Sequence, residues 1–202
     1  MSVYESWTHG NSVLLERVKA SNATGKSGVN NSFRGETGDI VDLGVPDSAV
    51  ACLRLGWAAR FVAFDSGKED KAKSGSFWCH YAIPTPVIEA DARAEADQVL
   101  VNFESSDINA LRIAAVHVWD GNRRIFAADT LIPTPANNYD GGIRGRTTDS
   151  GTRPATSRLW RGDIRRQPIY FGVGVSLLIR AHEAKDEYLE IRGVGVDFEA
   201  PK

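Results

Sequence analysis

Apolar and polar residues alternate with period two along most of this 202-residue chain, the mark of strands half-buried in a sheet. In "DQVLVNF", Val99, Val101 and Phe103 share one face, while Gln98 and Asn102 lie on the other with Leu100. In "IYFGVGVSLLI", Ile169, Phe171, Val173, Val175, Leu177 and Ile179 line one face, opposite Tyr170, Gly172, Gly174, Ser176 and Leu178. Glycines on that outer side imply that something packs close to the backbone. Between Ala51 and Phe64, Leu53, Leu55, Trp57, Ala59, Phe61 and Ala63 alternate with Arg54, Gly56 and Arg60. This is one long strand, or two bent at Gly56. Asp120-Gly121-Asn122 separates two strand-like runs and reads as a tight hairpin. The final run, "EYLEIRGVGVDFE", changes parity between Ile191 and Val194, which a bulge near Gly193 reconciles.

Adding Ser12–Arg17, Gly38–Leu43 and Ser76–Ile83 gives about eight to ten strands. The expected fold is a single-domain, all-β antiparallel sandwich, jelly-roll-like, with a closed barrel as the alternative. "VIEADARAEADQ" is the one respectable helix candidate, and it reads equally as a short helical turn or a loop. Two long polar stretches, 18–37 and 137–168, interrupt the alternation and read as loop insertions. "IPTP" occurs twice, ending at Pro86 and Pro135. The echo around it is too short for a duplicated half-domain. Proline cannot donate to a ladder, so each copy is expected where a strand leaves its sheet, with Ile83 and Ile132 tucked into the core.

Composition narrows the function only by exclusion. A formal net charge of -2 gives no global field for nucleic acid or an anionic membrane. The opening MSVYESWTHG has neither a basic n-region nor an apolar h-region. A cytoplasmic protein, or one exported without a cleavable signal peptide, is therefore expected. Cys52 and Cys79 sit in strand-like apolar runs and are expected as buried thiols.

Catalytic signatures are sparse. His9, His80, His117 and His182 show no metal-ligand spacing, and no metal or cofactor is expected. His9 reads as a residue bonded locally at a turn and His117 as a satisfied core or interface histidine. Asp65, Glu69 and Asp70 fall in a charged loop that reads as a solvated hairpin tip, and "NNYDGG" only hints at a calcium loop. "GVGVSL" and "GVGVDF" are strand glycines rather than a dinucleotide fingerprint, because no helix follows.

The motifs "SWTHGN", "GW", "FWCHYAIPTP" and "VHVWDG" together resemble an uncharacterised family of small bacterial β-sandwich proteins. The resemblance implies the fold and carries no activity and no catalytic residues. The expected function is a structural, self-assembling or binding protein that forms homo-oligomers. Three features carry that expectation, the first being glycine-lined outer faces that permit close approach of another layer. The run Arg112–Trp119 is apolar on both faces, and the 137–168 stretch holds seven arginines against three aspartates. Its interface set is Trp160, Arg158, Arg161, Arg165 and Arg166, opposed by carboxylates such as Glu89, Asp91, Glu95 or Asp97. The alternatives are a carbohydrate-binding module using Trp7, Trp78, Trp119 or Tyr139, and a jelly-roll enzyme using His80, His117 or Asp129.

Overall fold

The computed structural model describes residues 3–16, 18–19, 38–43, 48–65, 74–89, 92–129, 139–140, 156–182 and 187–199. Two antiparallel sheets pack face to face. The larger has nine strands. Its path runs β13 (Tyr139–Asp140), β14 (Thr156–Pro168), β10 (Glu95–Ser105), β16 (Tyr188–Glu199), β6 (Ala59–Asp65), β5 (Ser48–Arg54), β4 (Gly38–Asp42) and β3 (Val18–Lys19). β1 (Val3–His9) lies beside the second half of β16, end to end with β6. The smaller sheet orders β12 (Arg123–Ala128), β11 (Leu111–Asp120), β15 (Val173–Ala181), β7 (Gly75–Ala82) and β2 (Leu14–Leu15). A two-stranded ribbon, β8 (Ile88–Glu89) with β9 (Ala92–Arg93), stands apart.

The molecule is thus an all-β sandwich of two packed antiparallel sheets rather than a closed barrel. It has sixteen strand segments among the described residues, five of them only two residues long. The core lies between the sheets, where Phe61 of the larger meets Phe77 of the smaller at 5.4 Å between ring centroids. Cys52 and Cys79 face this core from opposite sheets as buried, free thiols. Burial pushes the Cys52 thiol up to about 12 and the Cys79 thiol well above its ordinary value.

Local chemistry explains the turns. The 51–64 run is two strands parted at Gly56 rather than one long strand. β5 and β6 are an antiparallel hairpin closed by the Leu55 N–H to Ala58 carbonyl bond at 2.8 Å. Gly121 adopts φ +59 in the turn between β11 and β12, a conformation glycine takes without strain. The expected bulge in β16 is present: Asn102 pairs Gly193 but Phe103 pairs Ile191, leaving Arg192 extra. At the corner after β1, a 3-10 turn (Gly10–Ser12) carries the chain from the larger sheet to the smaller. A Cβ at Gly10 would sit 1.7 Å from the Ile191 carbonyl oxygen, so only glycine fits there. His9 precedes this turn, but its side chain makes no capping bond to it.

The first IPTP copy sits where β7 leaves its sheet. Ile83 is buried, and Pro84 and Pro86 lie beyond the strand. Thr85 gives the device a second purpose. Its hydroxyl donates to the Ile83 carbonyl at 2.7 Å and accepts the Val173 N–H at 2.9 Å, tying the exit of β7 to the start of β15. The second copy lies outside the described residues.

Three expectations are corrected. Among its described residues "VIEADARAEADQ" forms no helix: it holds β8, β9 and the start of β10, and its alanines 94 and 96 are fully buried. Alanine here fits a tight inner face, so burial overrides its helix propensity. The 137–168 stretch is not a structureless insertion throughout, because β14 occupies Thr156–Pro168 and β13 occupies Tyr139–Asp140. Residues 137–138 and 141–155, like 20–37 in the earlier stretch, lie outside the described residues, and the expected insertion at 18–37 begins with strand β3. Finally, β11 is not continuously apolar on its outer face. A register shift between Ile113 and Ala115 turns Ile113 into the core with Val116 and Val118. Arg112, Ala115, His117 and Trp119 are left opposite the outward residues of β15.

Candidate functional site

Each sheet has an outer face, and side chains with chemistry gather on both. On the smaller sheet, register places His117 of β11, Ser176 of β15 and His80 of β7 in one row across three adjacent strands. Ser176 Oγ lies 2.8 Å from His80 Nδ1, and His80 Nε2 lies 3.1 Å from Glu16 Oε1. His117 Nε2 contacts Asp129 Oδ1. The His117 hydrogen bond holds the exposed Asp129 carboxyl below its ordinary range. One serine therefore sits between two imidazoles, each backed by a carboxylate. Trp78 and Trp119 flank His117 at 4.7 and 6.2 Å between ring centroids. Two residues further along each strand, Ala82, Gly174 and Trp119 form a parallel row. A Cβ at Gly174 would meet only the Tyr81 carbonyl oxygen, at 3.9 Å, so the floor beside Ser176 is open. Among the described residues no close neighbour of the kind the glycine pattern implied packs on Gly174.

On the larger sheet the glycines of "GVGVDF" do have a partner. A Cβ at Gly195 would lie 2.7 Å from Trp7 Cδ2, and one at Gly193 would lie 3.3 Å from Trp7 Cε3. The indole spans both glycines, so it lies along β16 with its other face in solvent, and Trp7 is 37% exposed. Its Nε1–H donates to Glu5 Oε2 at 3.0 Å. Glu5 is the cross-strand partner of Asp197, which in turn pairs Gln98. Asp197 Oδ1 is buried and has no hydrogen-bond donor among the described residues. Burial first, then the Glu5 charge, raises the Asp197 carboxyl to about 6, with Arg161 pulling the other way.

Two further clusters are paired within the chain. Glu104 and Glu190 are buried cross-strand neighbours on β10 and β16. Arg60 donates to Glu190 through Nε and Nη2 at 2.9 and 2.5 Å, and Trp57 Nε1 donates at 3.2 Å. Tyr188 Oη donates to Glu104 at 2.8 Å, and Arg192 also binds it. Each carboxylate is thereby engaged by at least two side chains of the same chain. Asp120 is buried and accepts the N–H groups of Tyr170, Phe171 and Gly172 at 2.8 to 3.2 Å. Burial alone would raise its pKa, but these donors and Arg123 outweigh it, so the carboxyl is held down. It fixes the turn before β15.

The expected interface set falls on one strand, β14. Trp160 is 5% exposed and packs into its own sandwich against Phe126, at 6.2 Å between centroids, so a neighbouring subunit cannot reach it. Gly162 leaves the room: a Cβ there would meet both rings below 3 Å. Arg161, Arg165 and Arg166 are exposed on β14. Arg166 pairs Glu199 of the same chain at 2.7 Å, and Arg165 and Arg166 take φ +63 and +52 in a local bulge. The Arg158 side chain, and those of Tyr139 and Asp140 in the calcium-like stretch, lie outside the described set. His182 lies apart, 2.7 Å from Ser74 Oγ. Among the described residues, no group of three or more His, Cys, Asp or Glu is placed to hold a metal ion. No protein-family model matches the chain.

Proposed function

We propose that the protein binds carbohydrate on the outer face of its nine-stranded sheet, with Trp7 as the stacking platform. The observation that carries this reading is the seat of Trp7 on Gly193 and Gly195. Two strand positions have given up their side chains so that one indole can lie flat, and its free face is directed to water. A flat, immobilised aromatic matches the C–H face of a pyranose, and holding it in place beforehand lowers the entropic cost of binding. The sugar hydroxyls need acceptors at the rim. Glu5 supplies one, and Gln98 and Asn102 stand on the same face. An open face of this kind supports affinities of about 1 mM, or about -4 kcal/mol.

Self-association rested on glycine-lined outer faces, on the two-sided apolar strand and on Trp160. The bulge in β11 and the core position of Trp160 satisfy the last two features within one chain, while the glycine-lined outer face at Gly174 stays open, so the carbohydrate reading is put first.

The test is affinity electrophoresis through gels containing soluble glucan, mannan, xylan or galactan, with the parent protein and Trp7→Ala side by side. Retardation of the parent by at least one polysaccharide, lost in Trp7→Ala with an unchanged circular dichroism spectrum, is expected. Equal mobility of both proteins in every gel overturns the reading.

A further inference from the structure

The opposite face of the sandwich carries chemistry that sugar binding does not use. We infer that Ser176 is an acyl-transfer nucleophile, with His80 as its base, Glu16 as the residue that positions His80, and a short-chain carboxylic ester as the substrate class. The hydrogen bonds select the tautomer. Glu16 can only accept when ionised, so His80 Nε2 carries the proton, and Nδ1 is left with the lone pair that faces the Ser176 hydroxyl at 2.8 Å. This is the acid–imidazole–serine order that activates a hydroxyl, here built on neighbouring strands rather than at a strand-to-helix turn.

Access comes from the row beside it. Ser176 is 7% exposed, but its same-face neighbour Gly174 has no side chain, and Ala82 on β7 is exposed. The open floor between Ala82 and Trp119 admits a small acyl group alongside the serine. The chemistry closes without any other reagent than water. Ser176 Oγ forms a bond to the carbonyl carbon and its proton passes to His80 Nδ1. The ester C–O bond then breaks, and the alcohol leaves with that proton. Water attacks the acyl-serine through the same imidazole, releasing the carboxylic acid and restoring the hydroxyl. His117, on the other side of Ser176, is held by Asp129 and takes no part in this step.

The experiment is covalent labelling with an alkyl fluorophosphonate, followed by peptide mapping of the parent protein and of His80→Gln. The expected result is a single adduct on Ser176, formed at least about a hundredfold more slowly without the imidazole. Glu16→Gln is expected to alter the pH profile of labelling while leaving the modified residue the same. An unlabelled parent, or an adduct elsewhere than Ser176, overturns the inference even if no variant folds. So does a labelling rate that is the same in folded His80→Gln. None of these outcomes bears on Trp7, which lies on the other sheet.

Discussion

Gly195 and Trp7 are cross-strand partners, and the missing side chain of the one is the seat of the other: a Cβ on Gly195 would fall 2.7 Å from Trp7 Cδ2 and 3.0 Å from the Ser6 carbonyl oxygen. The second contact is backbone and cannot move aside. Gly195→Ala is therefore expected to destabilise the fold by about 1–3 kcal/mol. Gly174→Ala is its control on the other sheet. The nearest atom there is 3.9 Å away, and stability should hold or rise by up to about 1 kcal/mol. Urea denaturation of both variants checks the pair, and equal effects would contradict the assignment of the two faces.

Thr85→Val keeps the shape of the residue and removes the hydroxyl that links Ile83 to Val173. The Val173 N–H then loses its acceptor, at a cost of about 1–3 kcal/mol. Thr85→Ser should keep most of the stability. Thermal melts of the two variants against the parent decide this, and a melt for Thr85→Val matching that of Thr85→Ser would rule out the link.

Much of this architecture was legible in the chain because alternation is a local signal. Val99, Val101 and Phe103 face the core as their parity requires, and Val173 to Ile179 do the same. Legibility failed where a residue's role depends on a distant strand. In β14, Trp160, Gly162 and Ile164 alternate inward, yet the glycine hides the pattern, because its purpose is to make room for Trp160 and Phe126. Ile113 shares parity with Ala115 in the sequence, but a bulge separates them. For the sites, Trp7, His80, His117 and Asp129 were visible as residue types. That Gly193 and Gly195 seat Trp7, and that Ser176 stands between two histidines, follows from strand register over long sequence separations. The one available hint was the outer parity of Ser176 next to Gly174.

Asp197 gives the face of Trp7 a pH signature. Its carboxyl is raised to about 6 in the folded protein, by burial and then by Glu5. The folded state therefore holds this proton more tightly than the unfolded chain. The resulting stability is fully present below the ordinary carboxylate range and is lost as pH rises through about 6. Asp120 and Asp129 are shifted the other way, so the comparison must be with a single variant. Asp197→Asn should melt close to the parent near pH 4 and above it at pH 7, with the gap opening between. A constant gap in melting temperature across that range would refute the shift.

Cys52 and Cys79 are buried, and burial raises both thiols. Neither provides a thiolate at neutral pH. A disulfide reagent such as dithionitrobenzoate is expected to label neither in the native protein and both after denaturation. Rapid labelling of the native protein would show that one of them is accessible.

The most direct measurement is a nitrogen–proton correlation spectrum of the five tryptophan indoles, with Trp7 identified by its loss in Trp7→Phe, recorded during titration with oligosaccharides of the retarding polysaccharide. The Trp7 Nε1–H resonance, anchored on Glu5, should move progressively and saturate, while those of Trp57, Trp78, Trp119 and Trp160 stay in place. A stationary Trp7 signal at saturating sugar, or a response confined to Trp78 and Trp119, would contradict the platform.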